Sequence, residues 1–455
     1  MFTKYRSYKE IKKLTTPVDI GRRNVLKGAA LAGAGTIAAS ATMLQTINDG
    51  AKAQGEPIPV GGGNPITGMA ASDGLEFMRG LDMACEEINE WGGILGRPVE
   101  PHHEDTKSMS ADDVVPAFNR LVDRHNCHAI FSGYNIGSQN AEYEVVADAG
   151  IIFMNMNTLL QHHDMILGDP ERYFSCFQSD PAEYWYSPGY LKMISWLRDT
   201  GRWTPRNNKI AILSGSLPYS IVIAEGINEL APEYGWEIAF PVELVATPTN
   251  EWGPALQKVR EADPAAIVNT HFIAPEIAAC QNQFMQNPTN SLMYYQYGPI
   301  LRAFSDIAQE NSVGVMASIL LATLRDERGF AYDAKYRSMF GEDSTPAAGL
   351  QTYGMMHHYA IAASLAGGTG EPGNFEQNKR IAEFLIRTTY RSPGGTFILH
   401  PEWQAAVPYP DATNDPTLGM PHLYYQIQDW QSTDRALIAP EPYAVDDFIL
   451  PPWMS

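Results

Sequence analysis

A chain of 455 residues, 44% hydrophobic and 18% charged, is too long for one compact core and long enough for two globular domains. Its formal charge is −20; residues 1–54 hold nine Lys/Arg against three acids, so they are +6 and the rest is −26. A body that acidic repels nucleic acid and anionic lipid, which excludes neither a small solute nor a protein partner.

The chain opens with a basic segment and then Gly21-Arg-Arg-Asn-Val-Leu-Lys27, which resembles the twin-arginine export consensus, with Val25 where Phe is commoner. Gly28–Met43 is uncharged but short and rich in Ala and Gly, too weakly apolar for a transmembrane helix. Ala51-Lys-Ala53 gives the small-x-small pattern of a cleavage site before Gln54. Residues 1–53 are therefore read as a twin-arginine signal peptide, and the mature chain as periplasmic, exported by the twin-arginine translocase.

From Pro57 onward, apolar runs alternate with amphipathic segments. Gly61-Gly-Gly63 has no following Gly-Lys-Ser/Thr and is read as a permissive turn, not a nucleotide-binding loop. Phe77, Leu81, Ala84, Ile88 and Trp91 share one helical face, with Ser72 and Asp73 available as caps and Gly92-Gly93 as a stop. A strand at Pro98–His102, a helix at Ala111–Arg124, a strand at His128–Ser132, a helix at Ser138–Ala149 and a strand at Ile151–Met154 follow. The alternation resumes with strands at Lys209–Leu213, Trp236–Val245, Ala265–Asn269 and Leu292–Tyr295. The helices between them span Ile221–Tyr234, Trp252–Ala262 and Ala274–Met285. Val313–Leu320 reads as a crossing strand, and two long helices are expected near Ala347–Ala366 and Asn374–Tyr390. Residues 391–455 hold ten prolines, with one strand pattern at Leu423–Trp430.

Strands alternating with helices predict α/β architecture: two doubly wound parallel-sheet lobes. Cys85, Cys127, Cys176 and Cys280 form no CxxC pair, and either disulfides or buried free thiols fit them. The histidine pairs 102–103, 162–163 and 357–358 lack metal-ligand spacing. No cofactor or catalytic motif stands out.

Asn64-Pro-Ile-Thr-Gly68, Gly80, Ile88-Asn-Glu-Trp-Gly-Gly-Ile-Leu-Gly96 and Glu104-Asp105 resemble the opening of type I periplasmic binding proteins of ABC importers. They are most similar to the branched-chain amino acid and amide/urea receptors. The resemblance implies lobes joined by a three-crossing hinge: 57–176 with 317–394, and 177–316 with 395–455. It implies a ligand cleft between them, with Ser138 and Tyr134 supplied by the loop after the third strand. Asn157 and Thr158 would come from the next loop, and Tyr219 and His271 from the second lobe. Ser138 is equally well read as a helix cap and Tyr219 as packing on Pro218; Tyr184 and Trp185 are further wall candidates.

Amino-acid receptors of this type place an acid after a second-lobe strand to meet the ligand ammonium. Met293-Tyr-Tyr-Gln-Tyr-Gly-Pro299 has none, so an amide, a urea-like compound or an organic acid fits as well as an amino acid. The expected function is a non-enzymatic receptor that captures a small organic solute and delivers it to an ABC permease in the inner membrane. The alternatives are a periplasmic sensor feeding a membrane receptor and, less favoured, an exported amide hydrolase. Site chemistry does not separate receptor from sensor.

Overall fold

A computed structural model describes residue 53 and residues 55–454, so the expected leader apart from Ala53 lies outside the described residues. The first sheet is built from β1 (Ile58–Asn64), β2 (Val99–Asp105), β3 (Ala129–Ser132), β4 (Ile152–Asn155) and β5 (Cys176–Gln178), in the order β2-β1-β3-β4-β5, all parallel. Gly61–Gly63 belongs to β1 and not to a turn. Its glycines are demanded by packing: a Cβ on Gly63 would come 2.5 Å from the Phe118 ring.

Helix α1 (Ala71–Glu90) follows β1, and its buried face includes Phe77, Leu81, Ala84 and Ile88. The expected caps are not used. Ala70 holds the N-cap position, and Asp73 points from the first turn into the protein. Helix α2 (Ala111–Asn119) runs on through a wide turn over Arg120–Arg124, in keeping with the predicted span. Helix α3 (Glu142–Ala149) begins four residues later than expected, because Gln139 and Asn140 both adopt positive φ after a short turn at Ile136–Ser138. Helices α4 (Gln161–Gly168) and α5 (Tyr186–Asp199) flank β5; the alternation pattern gave no element for either span.

The second sheet holds β6 (Lys209–Gly215), β7 (Glu237–Ile238), β8 (Glu243–Val245), β9 (Ala266–Asn269), β10 (Leu292–Gln296) and β11 (Met316–Ile319). Helices α6 (Pro218–Leu230), α7 (Gly253–Ala262), α8 (Ala274–Met285) and α9 (Arg302–Ala308) connect these strands. The predicted strand at Trp236–Val245 divides into β7 and β8, both paired with β6. Pro241, which has no N–H to give a ladder, lies in the break.

After β11, helices α10 (Glu327–Phe340), α11 (Pro346–Ala366) and α12 (Phe375–Arg387) return to the first lobe. Helix α11 crosses α1 so closely that a Cβ on Gly80 would lie 1.8 Å from the Gly349 carbonyl oxygen. A hairpin of β12 (Tyr390–Ser392) and β13 (Gly395–Phe397) follows, then a short pair, β14 (Pro408–Tyr409) and β15 (Met420–Pro421). The tail then rejoins the second sheet. Strands β16 (Leu423–Gln426) and β17 (Ala436–Ala439) extend it antiparallel beyond β11. The parallel expectation thus holds for β6–β11, and the proline-rich tail supplies an antiparallel edge.

The chain passes between lobes after β5, after β11, and between β13 and β16. Strand β11 stays whole in the second sheet, past the expected break at 317, and Phe397 packs in the first-lobe core. The four cysteines are buried and free. Among the described residues no helix is long and apolar enough to cross a membrane.

Candidate functional site

Both sheets present the carboxyl ends of their parallel strands to the seam between the lobes, the place where ligands bind in open parallel sheets. The loops after β1, β3 and β4 are tied there by asparagines. Asn64 Oδ1 accepts the Gly133 N–H at 2.8 Å, the Asn135 N–H donates to Asn157 Oδ1 at 2.7 Å, and Asn157 Nδ2 donates to Asn140 and Glu142. This network turns Tyr134 and Thr158 toward the seam; Thr158 adopts φ +59°.

The cavity between the lobes encloses about 460 Å³, including its open mouth. The rings of Tyr134, Tyr186, Tyr219, Phe272 and Tyr297 wall it. They stack edge to face: Tyr219 and Phe272 are 5.1 Å apart between centroids, Tyr134 and Phe272 6.3 Å. Ile136, Met156 and Ile319–Leu321 add an apolar floor, while Asn157, Thr158, Asp180 and Gln351 are the polar lining.

Asp180 is the one carboxyl group in this lining. Thr158 Oγ1 lies 2.5 Å from Asp180 Oδ2, but Asp180 Oδ1 is buried with no hydrogen-bond partner. Burial pushes its carboxyl up to about 8, against the lowering effect of the Thr158 hydroxyl. Gln351, from α11, likewise leaves its amide oxygen buried and unpartnered. Both residues line a cavity that has no Lys, Arg or His in its wall. That arrangement favours a ligand that brings N–H groups and positive charge over a simple anion.

A second carboxylate braces the wall from behind. Asp73 Oδ2 accepts the hydroxyl protons of Tyr134 at 2.5 Å and of Tyr297 at 2.9 Å. Tyr297 belongs to the second lobe and Asp73 to the first, so this contact exists only with the lobes together. Burial lifts the Asp73 carboxyl to about 6, partly opposed by the two tyrosine hydroxyls.

Of the residues expected from sequence, Tyr134, Asn157, Thr158 and Tyr219 line the cavity. Ser138 does not. Its hydroxyl lies 2.8 Å from the Asn135 carbonyl and 2.5 Å from Glu142, because the delayed start of α3 folds it inward. His271 is also behind the wall, with Nε2 3.1 Å from Glu276 and its ring under Gly215; the neighbouring Phe272 takes the wall position. Tyr184 and Trp185 are absent from the lining, and Tyr186, one residue on, is present. Met293–Pro299 indeed carries no acid, but Asp180 supplies one from the crossing segment after β5. Its only sequence signal is an acid just beyond a buried strand.

Comparison with known proteins accords with this geometry. The periplasmic binding protein family model matches residues 57–408. A crystal structure of a candidate branched-chain amino acid ABC transporter protein from Silicibacter pomeroyi is 47% identical and covers 88% of this chain and all of its own, with a TM-score of 0.82. The branched-chain amino acid binding protein of Streptococcus pneumoniae, solved with isoleucine, shares the fold at 17% identity. It covers 84% of this chain and all of its own, with a TM-score of 0.66. Among curated relatives, an amino acid binding protein of Pseudomonas aeruginosa is 35% identical over 101 residues, 21% of this chain. A Leu/Ile/Val-binding protein homolog of Brucella abortus is 24% identical over 209 residues, 46% of this chain. The chain spans a quarter and a half, respectively, of those two proteins' length. By the match across residues 57–408, the chain belongs to the periplasmic binding protein family and is a solute-binding protein, not an enzyme.

Proposed function

We propose that the protein captures a small amine-bearing solute with an apolar body, an aliphatic amino acid being the simplest form, and delivers it to an ABC import permease. The observation that carries this reading is Asp180, a buried carboxylate oxygen without a donor, set among aromatic rings. An ammonium placed there would ionise Asp180 and pair with it in a water-poor site, while the rings cover the aliphatic part. Amides and urea-like solutes, which offer N–H groups without charge, would satisfy the same oxygens less strongly. An organic acid would meet no side-chain cation in the wall. The assignment of the Silicibacter pomeroyi relative to branched-chain amino acid transport supports the same solute class.

The family implies an extracytoplasmic location, and the Arg22-Arg23 leader supports a twin-arginine route to it, with cleavage near Ala53. Solute would close the two lobes on each other, because each contributes part of the wall.

Calorimetry on the purified chain tests the solute class with leucine, with isocaproate, which lacks the amine, and with isoamylamine, which lacks the carboxylate. Leucine binding with loss of affinity for isocaproate is expected. Isocaproate binding as tightly as leucine, or no response to any amine, would overturn the reading.

A further inference from the structure

A second cavity opens at the seam away from the solute pocket, with about 530 Å³ of space including its mouth. Four guanidiniums converge on it. Arg302 and Arg435 come from the second lobe, Arg337 from α10 on the first, and Arg325 from the segment crossing between them. Two acids, Asp333 and Asp434, share the wall. In a chain whose formal charge is −20, this local excess of cations is set against the general trend.

Only one of the four is closely matched by a carboxylate: Arg302 Nε lies 2.7 Å from Asp306 Oδ1, and the other three have no such partner. Arg435 is only 5% exposed, yet it donates solely to neutral acceptors: the carbonyls of Pro299, Leu301 and Ser432 and the Ser305 hydroxyl. Among the described residues no carboxylate lies within 4.0 Å of it. Burial accordingly pulls its guanidinium down to about 10. Asp434 is 3.8 Å from Arg325 and 3.7 Å from Arg337, beyond hydrogen-bond length, and is largely exposed. Arg325 makes one hydrogen bond, to the Arg435 carbonyl at 3.3 Å. The Asp333 carboxyl is held above its ordinary range by burial, which reduces the negative charge it brings. Thr323, Ser344 and Thr433 add hydroxyls, and the first turn of the 21-residue α11 opens onto the same space.

We infer that this cavity binds a small multivalent oxyanion, with inorganic phosphate as its simplest form, held across the two lobes by the four arginines. Planar guanidinium forks match tetrahedral oxyanions through paired N–H groups, and a buried cation lacking a counter-ion gains most from one. Distant acids on the surface are screened beyond about 8–10 Å, so the overall negative charge does not cancel the local field. The inference does not depend on which solute occupies the aromatic pocket.

The test is calorimetry and thermal unfolding of the purified chain in sodium phosphate and in sodium chloride at matched ionic strength. Phosphate should bind saturably and raise Tm where chloride does not, and sulfate should act as phosphate does. Arg325→Gln should weaken phosphate binding by about tenfold or more. Arg302→Gln, at a more exposed position, provides a second variant should the first fold poorly. Equal Tm in phosphate and chloride, or undiminished phosphate binding in the folded variants, would overturn the site.

Discussion

The solute pocket and the arginine-lined cavity lie along the same seam, yet one is walled by five aromatic rings around a buried carboxylate and the other by four guanidiniums. The backbone arrangement is shared: loops and helix starts from both lobes facing one another. What differs is the side chains at those positions, so the fold provides two places where closure can be read and the residues choose opposite charges for them. Low polarity sharpens the first, because a single carboxylate among rings is felt more strongly than one in water.

The largest test of this contrast is Asp180→Asn. The amide has the same shape but cannot neutralise an ammonium, so amine-bearing solute should lose about a hundredfold or more in affinity by calorimetry. The phosphate response at the arginine cavity should be unchanged. Retained solute affinity would show that Asp180 is a structural acid and that the contrast in charge has no functional meaning.

Much of the fold was legible in the sequence, and the reasons differ from element to element. Helix α1 was readable because its buried face repeats at helical spacing, and β9 because the apolar run Ala265–Val268 stands between Pro264 and Asn269. Helices α4 and α5 were not, since their buried residues include His162, His163, Tyr186, Ser187 and Tyr190, which carry no clean apolar period. At the site, Tyr134, Asn157, Thr158 and Tyr219 followed from the resemblance alone. Asp180 did not, because a carboxylate's role is set by burial, and its neighbours in the chain, Ser179 and Pro181, look like an ordinary turn. Ser138 misled for a related reason: positive φ at two following residues moved the helix start, and no side-chain pattern announces that shift.

Acidity gives the next largest effect, with opposite signs for stability and binding. In the solute-free protein Asp180 at about 8 and Asp73 at about 6 both lie above their ordinary value of 3.8. Each therefore contributes stability that is full below pH 3.8 and lost as pH rises through 6 for Asp73 and through 8 for Asp180. The buried acid Glu183, also raised to about 8, adds to the upper step. Tm should thus fall between pH 5 and 8.5, measured by thermal unfolding, and Asp180→Asn should flatten the upper part of that fall. Affinity for an ammonium should move the other way. It needs ionised Asp180, so it should rise toward pH 8, by up to about tenfold per unit. Parallel trends in the two curves would separate Asp180 from the ligand.

Tyr297→Phe removes one of the two hydroxyls that meet on Asp73, and that one comes from across the seam. Solute affinity should drop by about tenfold, the lower end of what one hydrogen bond to a charged group is worth, while Tm changes less. A change of the same size for phosphate would mean that the bond governs closure as a whole and not the aromatic pocket.

The smallest expected effect is on binding by Ser138→Ala, and it tests where the pocket ends. The Ser138 hydroxyl is held by Glu142 and the Asn135 carbonyl, and Glu142 in turn accepts from Asn157 Nδ2. Removing it should lower stability by about 1 kcal/mol in denaturant unfolding, since Glu142 is buried and loses a partner. Solute affinity should stay within about twofold, because Asn157 keeps its bonds to Asn140 and to the Asn135 N–H and so keeps the loop bearing Thr158 in place. If affinity fell by about tenfold or more, with stability unchanged, the wall would extend past the turn at Ile136–Ser138. The solute would then reach the start of α3 as well as Asp180.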